Sequence, residues 1–553
     1  MSISDTGLSR NERIVRMVVL VAVGLVIWFM PMPTGIDPKA WHLFAIFVAT
    51  ILGLILQPLP MGAIVLIGMT MTALTGTLSI GDALNGFSNS TVWLIFVAFM
   101  FGRAFAKTGL GRRIAYWFIR AFGHRTLGLA YALAASDLVL APGIPSGAAR
   151  TGGVLYPIVR SLSGAFGSEP GPTAGKIGRL LHLTTYQAHG INCAMFMTAM
   201  AANPLIVELA RKTANVEITW GMWALAAIVP GLLSLLVMIY VIYLIDRPEI
   251  TETPQAAQTA RDELAKMGPL SRDERVVLGA FALTLFLWLT GSLTRLEATV
   301  VALLGLSLMI LLGTINWEDV LAERTGWDTL IWFGGLVGMA TMLAKLGLFK
   351  WFAGYVTAHV TGMAWLPALV VIVLVYNFSG YLFASLTAHT VALYAPMLTV
   401  AVAVGAPPLF AALLLAFFSS LCVSLTHYSG GPSPVYFGSG YSSLRYLWQF
   451  PFDKIKIDRS FMQGFEEKGR DAEMVVRSII ALGRALRMQV TIEGVETRDQ
   501  ARFIDSAGAN LVQGFFFGRP MPAADVSAFL LADFHKAHAA PAAIETEKLK
   551  SVG

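Results

Sequence analysis

Four short stretches of this 553-residue chain place small, polar and helix-breaking residues inside long apolar runs. They are IPSGAARTGG (144–153), MTAMAANP (197–204), FASLTAHTV (383–391) and LTHYSGGPSP (425–434). Between them they offer the hydroxyls of Ser146, Ser385, Thr387 and Thr426, the amide of Asn203, the imidazole of His389, the guanidinium of Arg150, and close backbone approach at Gly147. These types point to recognition, with no catalytic set. A helix that starts or stops at membrane depth frees amides that suit an anion and carbonyls that suit a cation. An ionisable side chain in a membrane is costly and is a functional candidate by default. Arg150 also has the planar fork that pairs bidentately with a carboxylate. Its competing role is structural, as partner of Asp137 or of nearby carbonyls. His389 reads equally as a core histidine bonded to a hydroxyl and as a substrate or proton contact. Asn203 either caps the break before Pro204 or faces the site. Cys193 and Cys422 lie in apolar runs and read as small core residues, so neither a disulfide nor a metal site is expected.

The elements that must position these groups are membrane spans. The chain is 56% hydrophobic and 13% charged, against about 25% charged in an ordinary soluble domain. A spanning helix needs about 20 mostly apolar residues. Such runs fall near 14–32, 41–57, 61–79, 91–108, 180–202, 220–245, 276–292, 296–313, 327–345 and 406–426. Two further apolar regions, 126–160 and 362–402, are interrupted by Gly, Pro and polar residues and are expected as re-entrant hairpins. Arg10, Arg13 and Arg16 place residues 1–12 on the cytoplasmic side, ahead of a retained first span. Arg112, Arg113, Arg120 and Arg125 return the chain to that side, and 246–275 is the central cytoplasmic loop. The net charge of +6 is assigned to such loops, with no nucleic-acid partner expected.

The two halves repeat. AFAKTGLGRRIA aligns with MLAKLGLFKWFA, taking Lys107 to Lys345 at an offset of 238. IPSGAARTGGVLYP aligns with FASLTAHTVALYAP at 239, taking Ser146 to Ser385 and Pro157 to Pro396. The copies begin with spans of opposite direction, which predicts an inverted repeat over 13–245 and 276–441 with binding groups at its interface.

PSGAARTGGVLYPI, MFMTAMAANPL, FASLTAHTVALYAP and LTHYSGGPSPVYFGSGY together resemble the divalent anion:sodium symporter superfamily over residues 12–441. The most similar branch is that of the di- and tricarboxylate antiporters (citrate/succinate, 2-oxoglutarate/malate). The resemblance implies an all-α polytopic homodimer in a bacterial inner membrane. It also implies elevator motion of the hairpin-bearing part and Ser-Asn-Thr tips that bind carboxylates beside sodium sites. Here the second tip reads Ser385-Leu386-Thr387 and the first Ser146-Gly147-Ala148. The missing Asn and Thr argue against a sodium site at the first tip and for exchange of one carboxylate for another. No organic cofactor is expected.

The repeat demands a last span near 450–484, counterpart of 220–245. That region instead reads FPFDKIKIDRSFMQGFEEKGRDAEMVVRSIIALG, too charged to cross a bilayer. Residues 442–535 alternate strand and helix patterns, as in a parallel α/β arrangement, and 536–553 read as a disordered tail. FGSGYSSLRYLWQFPFDKIKIDRSF, TIEGVET and LVQGFFFGRPMP resemble the C-terminal part of EAL domains, the cyclic-di-GMP phosphodiesterases. That resemblance carries metal, water or fold roles to Lys456, Asp458, Glu493 and Gln513. The Glu-Ala-Leu signature is missing, and Val435 and Tyr436 stand where the family has two metal-binding Asp. Only about three of eight β/α units are present, so catalysis is not expected. FGSGY fits both families, which is where the two sequences meet.

Overall fold

The computed structural model describes residues 10–359, 364–383, 385–426, 430–438, 454–457 and 489–518, with isolated positions between 462 and 481. It divides into two compact units, Met1–Ser442 and Ser443–Gly553.

The first unit is an all-α polytopic membrane protein. Among the described residues, eight helical segments are long and apolar enough to cross a membrane, including Pro38–Leu56, Ser90–Thr108, Trp220–Ile245 and Arg324–Lys345. Local chemistry sets their starts. Asp37 accepts from the Lys39 amide with Pro38 in the first turn, Asn89 accepts from Thr91, and Thr219 accepts from Met222. Leu225, Val229, Leu233, Leu236 and Val237 of Trp220–Ile245 are exposed, as a lipid-facing surface requires. Two expected spans are short, Met61–Leu74 and Ala298–Leu311. Gly76 and Gly313, both at positive φ, follow them.

Some individual elements stand at spacings near the offset read from the sequence. Met61–Leu74 and Ala298–Leu311 lie 237 apart, and the left-handed glycines Gly109 and Gly347 lie 238 apart. The first hairpin descends through Thr126–Leu140, turns through Ala141–Gly143, and rises through Ala148–Leu155 and Tyr156–Ala165. The second descends through Trp365–Ser379, turns through Gly380–Leu382 and rises through Leu386–Ala403. The two tight turns stand 239 residues apart. By length and composition three hairpin segments, Thr126–Gly143, Trp365–Leu382 and Leu386–Ala403, also reach spanning size.

The span expected over 180–202 is not continuous. Gly178–Met195 ends at an extended Phe196, a single turn follows at Met197–Ala199, and helix resumes at Ala202–Ala214. Pro204, which lacks an N–H, sits in the first turn of the restarted helix. Its counterpart Pro408–Leu421 likewise tightens at Cys422–Leu425 and stops at an extended Thr426. Broken helices pack on hairpins: Gly178–Met195 contacts Thr126–Leu140 and Pro408–Leu421, and Ala202–Ala214 lies along Leu386–Ala403.

The loop 246–275 contains a helix, Pro254–Met267, that the sequence reading did not foresee. It packs on the amphipathic helix Leu110–Phe122. Arg113, almost fully buried, clamps the pair. It donates to both carboxylate oxygens of Glu274 (2.6 and 3.1 Å) and to the Gly268 and Met267 carbonyls. Glu274 also completes a capping box with Ser271.

In the second unit β1 (Lys454–Ile457), β2 (Gln489–Glu493) and β3 (Leu511–Gln513) form a parallel sheet in that order. Helix Arg498–Ala507, opened by a Thr497–Gln500 capping box, joins β2 to β3. Ile457, Val490, Ile492, Val495, Phe503 and Ile504 make a small core.

Candidate functional site

The first hairpin tip is held by a buried hub centred on Asp137. Asp137 and Arg150 are both fully buried. Arg150 Nε donates to Asp137 Oδ1 at 2.8 Å. Its Nη1 donates to the carbonyls of Ile144 (2.7 Å) and Ala199 (3.0 Å). Its Nη2 lies 3.3 Å from both His189 Nδ1 and Cys193 Sγ. Asp137 is completed by Thr151 Oγ1 (2.9 Å) and Asn192 Nδ2 (2.8 Å). One guanidinium thus ties together the arms of the hairpin and the turn of the first broken helix. Ala148–Leu155 is wound with i→i+5 bonds through Gly152 and Gly153; such wide turns cost stability and collect at functional sites.

Ser146 caps that segment, its Oγ accepting from the Ala149 amide at 3.2 Å. Gly147 cannot be anything larger: a Cβ there would stand 2.3 Å from His189 Cε1. The tip also meets the second broken helix, since a Cβ on Gly431 would lie 3.3 Å from the Ala148 amide nitrogen.

At the second tip Ser385 caps Leu386–Ala403 by accepting from Ala388, and Thr387 is half-buried in its first turn. His389 is fully buried, with Nε2 2.9 Å from Ser379 Oγ and 3.0 Å from the Tyr376 carbonyl. Asn203, also buried, donates to the Cys193 (2.8 Å) and Phe196 (3.0 Å) carbonyls, and its Oδ1 lies 3.4 Å from Ser420 Oγ across the two halves. Thr426 is buried, and its carbonyl accepts from Tyr186 Oη at 3.2 Å. The same hydroxyl reaches the Val423 carbonyl (2.9 Å) and Ser433 Oγ (2.8 Å). The carbonyls freed at the breaks are therefore largely taken by side-chain donors. The sequence reading did not single out Tyr186, His189 or Asn192, and took Cys193 as a small core residue. The signal was present: residues 186, 189 and 193 recur at i, i+3 and i+7 on one helix face.

Of the four EAL-like positions, Glu493 and Gln513 are register partners on β2 and β3. Lys456 lies in β1 opposite Thr491. Asp458 lies outside the described residues. Among the described residues no cluster of three or more His, Cys, Asp or Glu could hold a metal ion. Tyr436 is a core residue of the first unit. It is buried, packs on Tyr156, His182 and Tyr186, and donates to the Thr151 carbonyl at 3.3 Å.

The chain resembles proteins with matching names. It is 51% identical over 449 residues to "Putative malate transporter YflS" of Bacillus subtilis, covering 81% of this chain and 94% of that protein. It is 45% identical over 435 residues to dicarboxylate transporter 1, chloroplastic, of Arabidopsis thaliana, covering 78% of each. Inner membrane protein YbhI of Escherichia coli is 38% identical over 443 residues, 78% of this chain and 92% of that protein. The family model for the EAL domain matches residues 436–520. The model for the sodium:sulfate symporter transmembrane region matches residues 11–453, so it shares 436–453 with the EAL match. With four-fifths of its length inside that match, the chain belongs to the sodium:sulfate symporter transmembrane family.

Proposed function

We propose that the first unit is a secondary carrier that exchanges di- or tricarboxylate anions across a bacterial inner membrane. In this reading the hairpin-bearing part moves as an elevator within a homodimer, with both termini cytoplasmic. Kinship with proteins named as dicarboxylate and malate transporters supports the substrate class. Exchange without a sodium ion rests on one observation: the protein's own donors occupy the carbonyls at the breaks. Arg150 donates to Ile144 and Ala199, Asn203 donates to Cys193 and Phe196, and the one Tyr186 hydroxyl proton is shared between Val423 and Thr426. A carbonyl that already accepts a hydrogen bond has one lone pair fewer to offer a cation. Ser146, Gly147, Ser385, Thr387 and the neighbouring helix-end amides are left to receive the anion's carboxylates. Arg150, His389 and Asn203 act by holding the tips in place.

The sequence that replaces the last span weakens this carrier. In sequence, β1 falls within 450–484, the stretch where the repeat expects a counterpart of Trp220–Ile245. The EAL-like part is proposed to be an inactive remnant without a bound metal. The test is uptake of labelled succinate or malate by proteoliposomes preloaded with unlabelled dicarboxylate. Counterflow that is indifferent to sodium supports the reading; absence of counterflow overturns it for this chain. The EAL match favours a second reading, a membrane-tethered cyclic-di-GMP binder, which calorimetric binding at micromolar concentration or tighter would revive.

A further inference from the structure

Where the C-terminal half of Ser90–Thr108 passes the first hairpin tip, a cavity of about 320 Å³ opens. Phe99, Arg103, Lys107, Ser146, Glu323 and Thr325 line it. Its size is at the lower end of small-ligand sites. Its charges are unevenly matched. Lys107 Nζ sits 2.5 Å from Asp319 Oδ2. Burial raises the Asp319 carboxyl, but Lys107 and the Asn316 amide outweigh it and hold the group below the usual carboxylate range. Arg103 is held only loosely, with Nη2 3.4 Å from Asp319 Oδ1 and Nη1 4.0 Å from Glu323 Oε2. Its Nε is buried without a hydrogen-bond partner. Burial pushes the Glu323 carboxyl above the usual range against the pull of Arg103. That pair is too long for strong attraction.

We propose that this cavity is a staging site for a carboxylate ligand, in which Arg103 takes one carboxylate of the incoming molecule and Glu323 is the internal carboxylate that it displaces. The inference rests on the carboxylate reading above and extends it to a site beside the first hairpin tip, on Arg103. A guanidinium with a free Nε and two stretched partners has more to gain from a bidentate carboxylate than from Glu323. Displacing a contact of 4.0 Å gives up little. Ser146 forms part of the same wall, so a dicarboxylate held here has its second group beside the tip.

The test is calorimetric titration of the full-length chain in detergent with succinate. Arg103→Gln is expected to weaken binding roughly tenfold, the loss of one charge-assisted pair. Glu323→Gln is expected to tighten it several-fold, because the competitor is gone. A general loss of structure cannot produce tightening, so the second variant guards the first. Unchanged affinity in Arg103→Gln, or unchanged or weaker affinity in Glu323→Gln, overturns the staging site while native binding leaves the carboxylate reading standing. Absence of succinate binding by the native chain overturns both.

Discussion

At the scale of single residues, the buried Asp137–Arg150 pair decides how the first tip is read. Breaking a buried pair leaves an uncompensated charge, so Arg150→Met is expected to cost about 3–5 kcal/mol. Asp137→Leu added to it should recover much of that loss, read as thermal unfolding in detergent. Undiminished stability with lost succinate binding in Arg150→Met would instead make Arg150 a substrate ligand. The sequence exposed this ambiguity but could not resolve it, because the carbonyls of Ile144 and Ala199 meet Arg150 only after the chain has folded. Glu274 carries a pH prediction. Burial raises its carboxyl, but Arg113 and Ser271 overcome that and hold it below the usual range. A depressed carboxylate stabilises the fold above its unfolded value, about 4.3, and that contribution is lost as pH falls through the lower folded value. Protection of Pro254–Met267 from hydrogen exchange, taken relative to intrinsic rates, should therefore fall as pH drops below the usual carboxylate range, and Glu274→Gln should lose the same protection at neutral pH. A profile that is flat in the native chain and unchanged in the variant would exclude the clamp.

At the scale of elements, close helix contact is set by glycines. A Cβ on Gly86 would stand 1.9 Å from the Gly334 carbonyl oxygen, and one on Gly338 would stand 3.1 Å from the Gly86 nitrogen. Gly334 and Gly338 are four apart on Arg324–Lys345, the small-residue spacing that lets membrane helices approach. Gly86→Ala should lower stability by about 1–3 kcal/mol or more, because backbone must move. Gly279→Ala, which meets nothing within 4 Å inside Arg272–Leu289, should be neutral or slightly stabilising. Equal melting temperatures for the two variants would contradict this. The breaks in the helices were legible because Gly, Pro and hydroxyl residues interrupt the apolar runs. The helix Pro254–Met267 was not, since its stripe of small residues, Ala256, Ala257 and Ala260, carries little apolar signal until Leu110–Phe122 covers it. A run such as Leu386–Ala403 continues through Pro396 where periodicity alone suggests a break.

At the scale of the molecule, the two matches overlap at 436–453, and Tyr436 belongs physically to the first unit. A chain ending after Ser442 is accordingly expected to bind succinate as the full chain does, within about threefold; loss of binding would give Ser443–Gly553 a part in the carrier. Cyclic-di-GMP should give no calorimetric signal with the full chain. The meeting of an apolar and a charged half was plain from composition, whereas the partners of Tyr436 were hidden because Tyr156, His182 and Tyr186 lie over 240 residues away in sequence. The hub at the first tip has a further consequence if that part of the protein moves. Arg150 and Asp137 travel as a pair with no net charge, so their passage through the membrane's electric field needs no work. An unpaired charge would cost about 2.3 kcal/mol for every 100 mV it crossed. The voltage dependence of exchange then belongs to the anions alone, and swapping two dicarboxylates of equal charge should carry no current.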